Sequence, residues 1–192
     1  MAWELVSFAS LKALLGLEDS LVTDYPALNI LKPSVEAAIE SYLGRQLESA
    51  ERTETFYITG PSNIIPLKAI PVTAVSSLEI TMLNETETYS TRDYYFTEYG
   101  LTLDAPIYDG YKSFTNLNDA KIAITYTGGL SAVPSDIERA ALLQTAYEFL
   151  GKDQIGATSV TTEGGTVNRP ALNLLPVVKD LLNPYKHPLK IR

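Results

Sequence analysis

The chain has 192 residues, 45% of them hydrophobic, with no cysteine, one histidine and a formal net charge of −8. Disulfides and thiolate metal sites are excluded, and the acidic balance argues against non-specific duplex binding, which needs basic surface to displace counterions. No stretch approaches the roughly 20 apolar residues of a membrane span, and the N-terminus lacks a basic-then-apolar leader layout. A soluble protein made in the cytoplasm, with an ordinary core, is the expectation.

In chain order, Ser7 or Ser10 caps a short predicted helix through Leu11, Leu14 and Leu15, stopped at Gly16. A second helical region runs from about Leu21 to Leu43, its stripe of Leu28, Leu31, Val35, Ala38/Ile39 and Tyr42 keeping 3.6-residue spacing. Pro33 removes a backbone donor, so a kink or break is expected near Lys32; Gly44 ends the helix.

From Thr53 to Tyr126 the chain turns β-rich and holds eight of the twelve tyrosines. The predicted strands are 54–59, 64–67, 76–82, 94–97, 101–103 and 121–126. Gly60-Pro61-Ser62-Asn63 and Tyr99-Gly100 mark turns, Leu83 to Thr91 reads as a polar hairpin tip, and Asp104 to Asp119 as a long surface loop. Ile122 and Ile124 alternate with Ala123 and Thr125, and Gly128-Gly129 lets the chain reverse. Pro134 then suits a first helical turn, with Ser135 or Asp136 as cap. Ile137, Ala140, Ala141, Leu143, Tyr147 and Leu150 follow helical spacing up to Gly151 at the C′ position. Lys152 to Arg169 reads as a flexible arm or an edge strand, and a short helix spans about Leu174–Leu182 before Asn183-Pro184. The fold class is α+β: N- and C-terminal helices framing a small inserted antiparallel β subdomain.

Charge is uneven. Residues 1–150 carry 9 Lys/Arg against 20 Asp/Glu, and residues 151–192 carry 6 against 3. The basic end reads either as a solvated terminus or as a docking tail. His187 lies in that tail beside Pro188, a poor surround for a general base, so no catalytic residue is assigned and a Ser-His-Asp triad has no histidine to use. Asp104, Asp109 and Asp119 lack calcium-loop spacing, so no metal is assigned, and no cofactor signature appears. Glu85, Glu87, Asp93 and Glu98 are the carboxylates a hydrolase would need, without a feature that sets one apart as acid. The tyrosines read as sheet packing, a protein interface or a sugar platform.

Three segments carry a resemblance. They are Val35-Glu36-Ala37-Ala38-Ile39-Glu40-Ser41-Tyr42-Leu43-Gly44-Arg45, the stretch Ile124-Thr125-Tyr126-Thr127-Gly128-Gly129 through Val133-Pro134-Ser135-Asp136-Ile137 to Ala140-Ala141-Leu142-Leu143, and Leu175-Pro176-Val177-Val178-Lys179-Asp180-Leu181-Leu182-Asn183-Pro184-Tyr185. In this order they resemble the tailed-phage head–tail connector (adaptor) family and cover about half of the chain. The resemblance implies a structural, non-enzymatic virion protein at the head–tail interface. It implies a homo-oligomeric ring of about twelve copies, closed by rotational symmetry. The ring would bind the portal protein and a stopper or tail-completion protein, and DNA would pass through without specific binding or any membrane. It also implies one adaptor domain over 1–151 (helices 7–51 and 134–151, β insertion about 53–127) and an arm, short helix and docking tail over 152–192. Candidate portal-docking residues are Leu175, Val178, Leu182, Tyr185, Lys186, His187, Lys190 and Arg192. Candidate contacts to the next ring or the outside are Tyr99, Tyr108, Tyr111 and Phe114. A carbohydrate- or host-binding module and a carboxylate hydrolase remain the rival readings.

Overall fold

The structure is a computed structural model and describes residues 4–17, 26–58, 65–82, 85–89, 95–98, 100–102, 120–152, 159–162, 165–168 and 173–188. It is mixed α+β, as expected. In chain order the elements are α1 (Phe8–Leu15), α2 (Pro26–Leu43), β1 (Ala50–Ile58), β2 (Ile65–Pro66), β3 (Val72–Met82), β4 (Glu85–Tyr89), β5 (Tyr95–Thr97), β6 (Gly100–Thr102), β7 (Ala120–Gly128), α3 (Ser135–Gly151), β8 (Ser159–Thr162), β9 (Gly165–Asn168), α4 (Pro176–Leu182) and a 3-10 turn, Asn183–Tyr185. Two compact units are present: Met1–Leu43 with Val133–Lys186, and Gly44–Ala132 with His187–Arg192.

In the helical unit, the Ser7 hydroxyl accepts the Ser10 N–H at 3.0 Å, and Gly16, at φ 65, closes α1. Helix α2 runs continuously through Pro33, so of the expected kink or break the break does not occur; residues 21–25 of that predicted helix lie outside the described residues. An internal proline costs about 3 kcal/mol. Burying Leu28, Val35, Ile39 and Leu43 on one face, at about 2 kcal/mol each, outweighs it. Lys32 is buried too, its ammonium 2.9 Å from Glu4 Oε2 and 4.1 Å from the centre of the Phe8 ring. Glu36 accepts the Leu5 N–H at 2.8 Å, so one turn of α2 holds the segment that precedes α1.

Helix α3 packs against α1, α2 and α4. Its small Ala140, Ala141 and Ala146 are buried with Ile137 and Phe149, as a helix enclosed on several sides requires. The cap differs from expectation. Pro134, extended at ψ 144, is the N-cap without a side-chain bond, and Ser135 and Asp136 are already helical. Gly151 is the last helical residue and Lys152 follows in right-handed conformation, so no left-handed C′ glycine ends α3. Within the stretch expected as an arm or edge strand, β8 and β9 pair with each other, Val160 opposite Val167.

The β unit begins where Gly44 adopts φ 65 and leaves the helix. Its main sheet is antiparallel with order β1-β7-β3-β4; a second has order β2-β6-β5. Along β7, Ile122, Ile124 and Tyr126 are buried while the residues between them are more exposed, the anticipated two-faced pattern. They pack with Leu67, Leu78, Ile80 and Leu101. The other face is lined by short polar side chains, with Thr53 and Thr125 hydroxyls 2.9 Å apart and Thr81 and Thr86 likewise.

Two sequence expectations fail here for identifiable reasons. Residues 83–91 are not all a hairpin tip: 85–89 form β4, paired from Met82↔Glu85 to Leu78↔Tyr89. A strand that is polar on both faces carries no alternation signal. Strand β3 starts at Val72 rather than at 76; register shifts between Val72 and Ala74, and between Val75 and Ser77, interrupt the alternation over its first residues.

Candidate functional site

The C-terminal segment is built onto the helical unit by polar contacts at both ends of α4. Gln144, 1% exposed, accepts the Leu175 N–H at 3.0 Å and donates to Glu148 at 2.8 Å. Val178 and Leu182 are fully buried and seat α4 on α3. Beyond α4, the Tyr42 hydroxyl donates to Asn183 Oδ1 at 2.8 Å, and the Lys186 ammonium stands 4.1 Å from the centre of the Tyr42 ring. The Tyr185 hydroxyl donates to Asp136 Oδ2 at 3.3 Å. Burial, and then the Asp136 charge, raise the Tyr185 pKa above its ordinary value.

The predicted docking residues therefore fall into distinct places. Val178 and Leu182 lie inside the helical unit and Leu175 is half-buried at the start of α4. Tyr185 is half-buried beside Asp136, and Lys186 is exposed beside Tyr42. His187 belongs to the β unit, with Nε2 2.9 Å from the Leu67 carbonyl oxygen. Lys190 and Arg192 lie outside the described residues. Of the anchoring side chains, the sequence marks Tyr42 only as part of the α2 stripe, Asp136 as a cap and Asn183 as a helix stop, and it does not single out Gln144. The signal Gln144 left there is that of a polar residue on the small-residue face of a helix.

The predicted outer contacts Tyr99, Tyr108, Tyr111 and Phe114, and the carboxylate Asp93, lie outside the described residues. Elsewhere in the β unit, Tyr57, Tyr95 and Phe96 are exposed aromatics. Glu85 and Glu87 are exposed on the edge strand β4, where Glu87 accepts the Tyr89 hydroxyl at 3.0 Å. Charged side chains on an edge strand oppose unwanted strand pairing. Glu98 is exposed, and its carbonyl accepts the Val72 N–H at 3.1 Å. Among the described residues, no group of three His, Asp or Glu side chains is placed to hold a metal, and no helix is long and apolar enough to cross a membrane.

A set of partly buried polar side chains around the buried Tyr126 ties segments of the β unit together. The Tyr126 hydroxyl donates to Glu54 and accepts the Ala69 N–H, while Arg45 donates to the Ile70 carbonyl and Arg52 to the Glu48 carbonyl. Burial lowers the Arg45 pKa from its ordinary value. These groups satisfy main-chain atoms of irregular segments, a packing role rather than a chemical one.

No curated protein matches the chain. Solved structures similar in fold include three from gene transfer agent particles. The neck of an empty gene transfer agent particle computed with C6 symmetry has a TM-score of 0.62 at 16% identity, over 95% of this chain and 90% of that one. The virion of a native gene transfer agent particle has a TM-score of 0.53 at 17% identity, over 86% and 79%. The neck of a native particle computed with C12 symmetry has a TM-score of 0.50 at 14% identity, over 100% and 97%. Residues 4–187 match the model of the head completion protein family. A match of that extent, in line with the connector-like segments of the sequence, means that the chain belongs to the head completion protein family.

Proposed function

We propose that the chain is a structural protein of the virion, placed at the head–tail interface, where copies assemble into a closed ring beneath the portal. The ring joins the portal protein to a stopper or tail-completion protein and surrounds the path of the DNA. The observation that carries this reading is the family match over residues 4–187. The fold likeness to particle necks, one of them computed with C12 symmetry, supports it. The role is geometric rather than catalytic.

The portal contact falls to the C-terminal end. Tyr185 and Lys186 are already positioned by Asp136 and Tyr42, and His187, Lys190 and Arg192 follow them in sequence. Preorganised side chains lose less freedom on docking, which favours affinity. The net charge of −8 suits a conduit, since a negative wall repels phosphate and lets a duplex slide.

The test is the mass of the full chain co-expressed with the portal protein of the same particle. About one copy per portal subunit is expected from a symmetric ring, lost when residues 183–192 are removed. A folded chain that never associates with portal would overturn the reading.

A further inference from the structure

The charge of the chain changes sign at its C-terminal turn. Residues 183–192 hold Lys186, Lys190 and Arg192 and no acidic residue, a balance of +3, so the other 182 residues carry −11 to give the net −8. Lys186 is the member of that set whose surroundings the structure describes. Its ammonium stands 4.1 Å from the centre of the Tyr42 ring, and among the described residues it makes no ion pair. Asp136, the carboxylate that meets the turn, accepts the Tyr185 hydroxyl instead. The face of an aromatic ring attracts a cation without neutralising it. Lys186 is thus held in place, exposed, with its charge unpaired.

What such an end recognises follows from the rest of the chain. A carboxylate-lined surface attracts residues 183–192 and repels the acidic remainder, so it admits the chain by this end and in this orientation. A neutral or basic surface would draw in the acidic remainder first and leave Lys186 unpaired.

We infer that the surface of the portal protein that receives the C-terminal end is acidic, with a carboxylate that pairs with Lys186. The inference rests on the portal reading above and adds the chemistry of the partner. A single exposed ion pair adds little affinity; its effect is on approach and orientation, and it fades as salt screens it.

The full chain and the portal protein of the same particle are treated with nuclease, and their binding is measured from about 50 to about 500 mM NaCl. Affinity is expected to fall by about tenfold or more across that range. Lys186→Met keeps an apolar stem against Tyr42 without the charge. It is expected to bind about threefold more weakly in low salt and to match the wild type in high salt, while Lys186→Arg behaves as wild type throughout. A zero-length carbodiimide, which condenses an amine and a carboxylate into an amide while the reagent takes up the water, is expected to join Lys186 to an Asp or Glu of portal, read by mass spectrometry. Binding indifferent to salt, or a salt dependence unchanged in Lys186→Met, would overturn the inference and leave the portal reading standing. So would carbodiimide links from Lys186 to a second copy of the chain alone, or binding that nuclease abolishes, which would make nucleic acid the partner. If no complex with portal forms at any salt concentration, the portal reading fails and the inference fails with it.

Discussion

The phenol of Tyr126 donates a hydrogen bond to Glu54 and accepts one from the Ala69 N–H at 2.9 Å, tying strands β1 and β7 to the irregular segment before β3. Tyr126 is fully buried, and burial followed by its bond to Glu54 raises its pKa well above the ordinary 10.0. Replacing Tyr126 by Phe leaves a buried N–H and a carboxylate without that partner. A loss of about 1–3 kcal/mol is expected, read by urea denaturation at pH 7. A loss within error would show that water replaces the phenol at no cost.

The same residue sets a pH dependence. A phenol held neutral in the folded state contributes a stability that is complete below pH about 10, where the unfolded chain also keeps the proton. Above that, the unfolded state deprotonates first, and stability falls by up to about 1.4 kcal/mol per pH unit. Tyr126→Phe should remove most of that slope between pH 10 and 11.5, measured by denaturation across the range. An unchanged slope would place the titration elsewhere.

The turn after β7 makes a different demand. Gly129 sits at φ 113, and a Cβ there would collide with the Glu48 carbonyl. Its neighbour Leu130 donates its N–H to the Leu47 carbonyl at 2.7 Å, so the two segments cannot separate freely. Gly129→Ala is therefore expected to destabilise by on the order of 3 kcal/mol, from left-handed strain and contact together. For a chain of this size that lowers the melting temperature by roughly 6–12 °C. A shift under about 2 °C would mean that the bridge relaxes.

Legibility in the sequence followed the strength of local periodicity. The two-faced strand β7, the Ser7 cap and the glycine stops at 16 and 44 were readable because each depends on residues adjacent in sequence. Strand β4 was not, because Glu-Thr-Glu-Thr is polar on both faces and its pairing with β3 is what makes it a strand. Pro33 does not break the helix because the cost of a proline is local while the burial that outweighs it is tertiary. The C-terminal segment was legible as a helix followed by a basic end. Its attachments were not, since Tyr42 and Asn183 stand 141 residues apart.

Gln144 tests how α4 is held. With Oε1 accepting the Leu175 N–H and Nε2 donating to Glu148, it fixes the first turn of α4 from a buried position. Gln144→Leu keeps approximate volume and removes the acceptor, leaving a helix N–H unsatisfied, at an expected cost of about 1–3 kcal/mol. Hydrogen exchange of residues 175–179 should quicken while β7 keeps its protection. Equal quickening in both would point to global destabilisation rather than release of α4.

The C-terminal turn is the last point of attachment, and its contacts are individually weak. The Tyr42–Asn183 bond and the Lys186 cation over the same ring are exposed, each worth about 0.5–1 kcal/mol. Tyr42→Ala removes both and is expected to cost about 1–2 kcal/mol, small beside the core. Its larger effect is on preorganisation: trypsin should cleave after Lys186 several times faster, since cleavage tracks local opening. If Tyr185 and Lys186 dock on the portal from this prearranged turn, Tyr42→Ala should weaken portal binding about three- to tenfold while the melting temperature moves only a few degrees. Tyr42→Phe should retain the ring under Lys186 and fall between the two. Portal binding unchanged in Tyr42→Ala would show that the turn plays no part in docking, and would shift the portal contact to another surface of the chain.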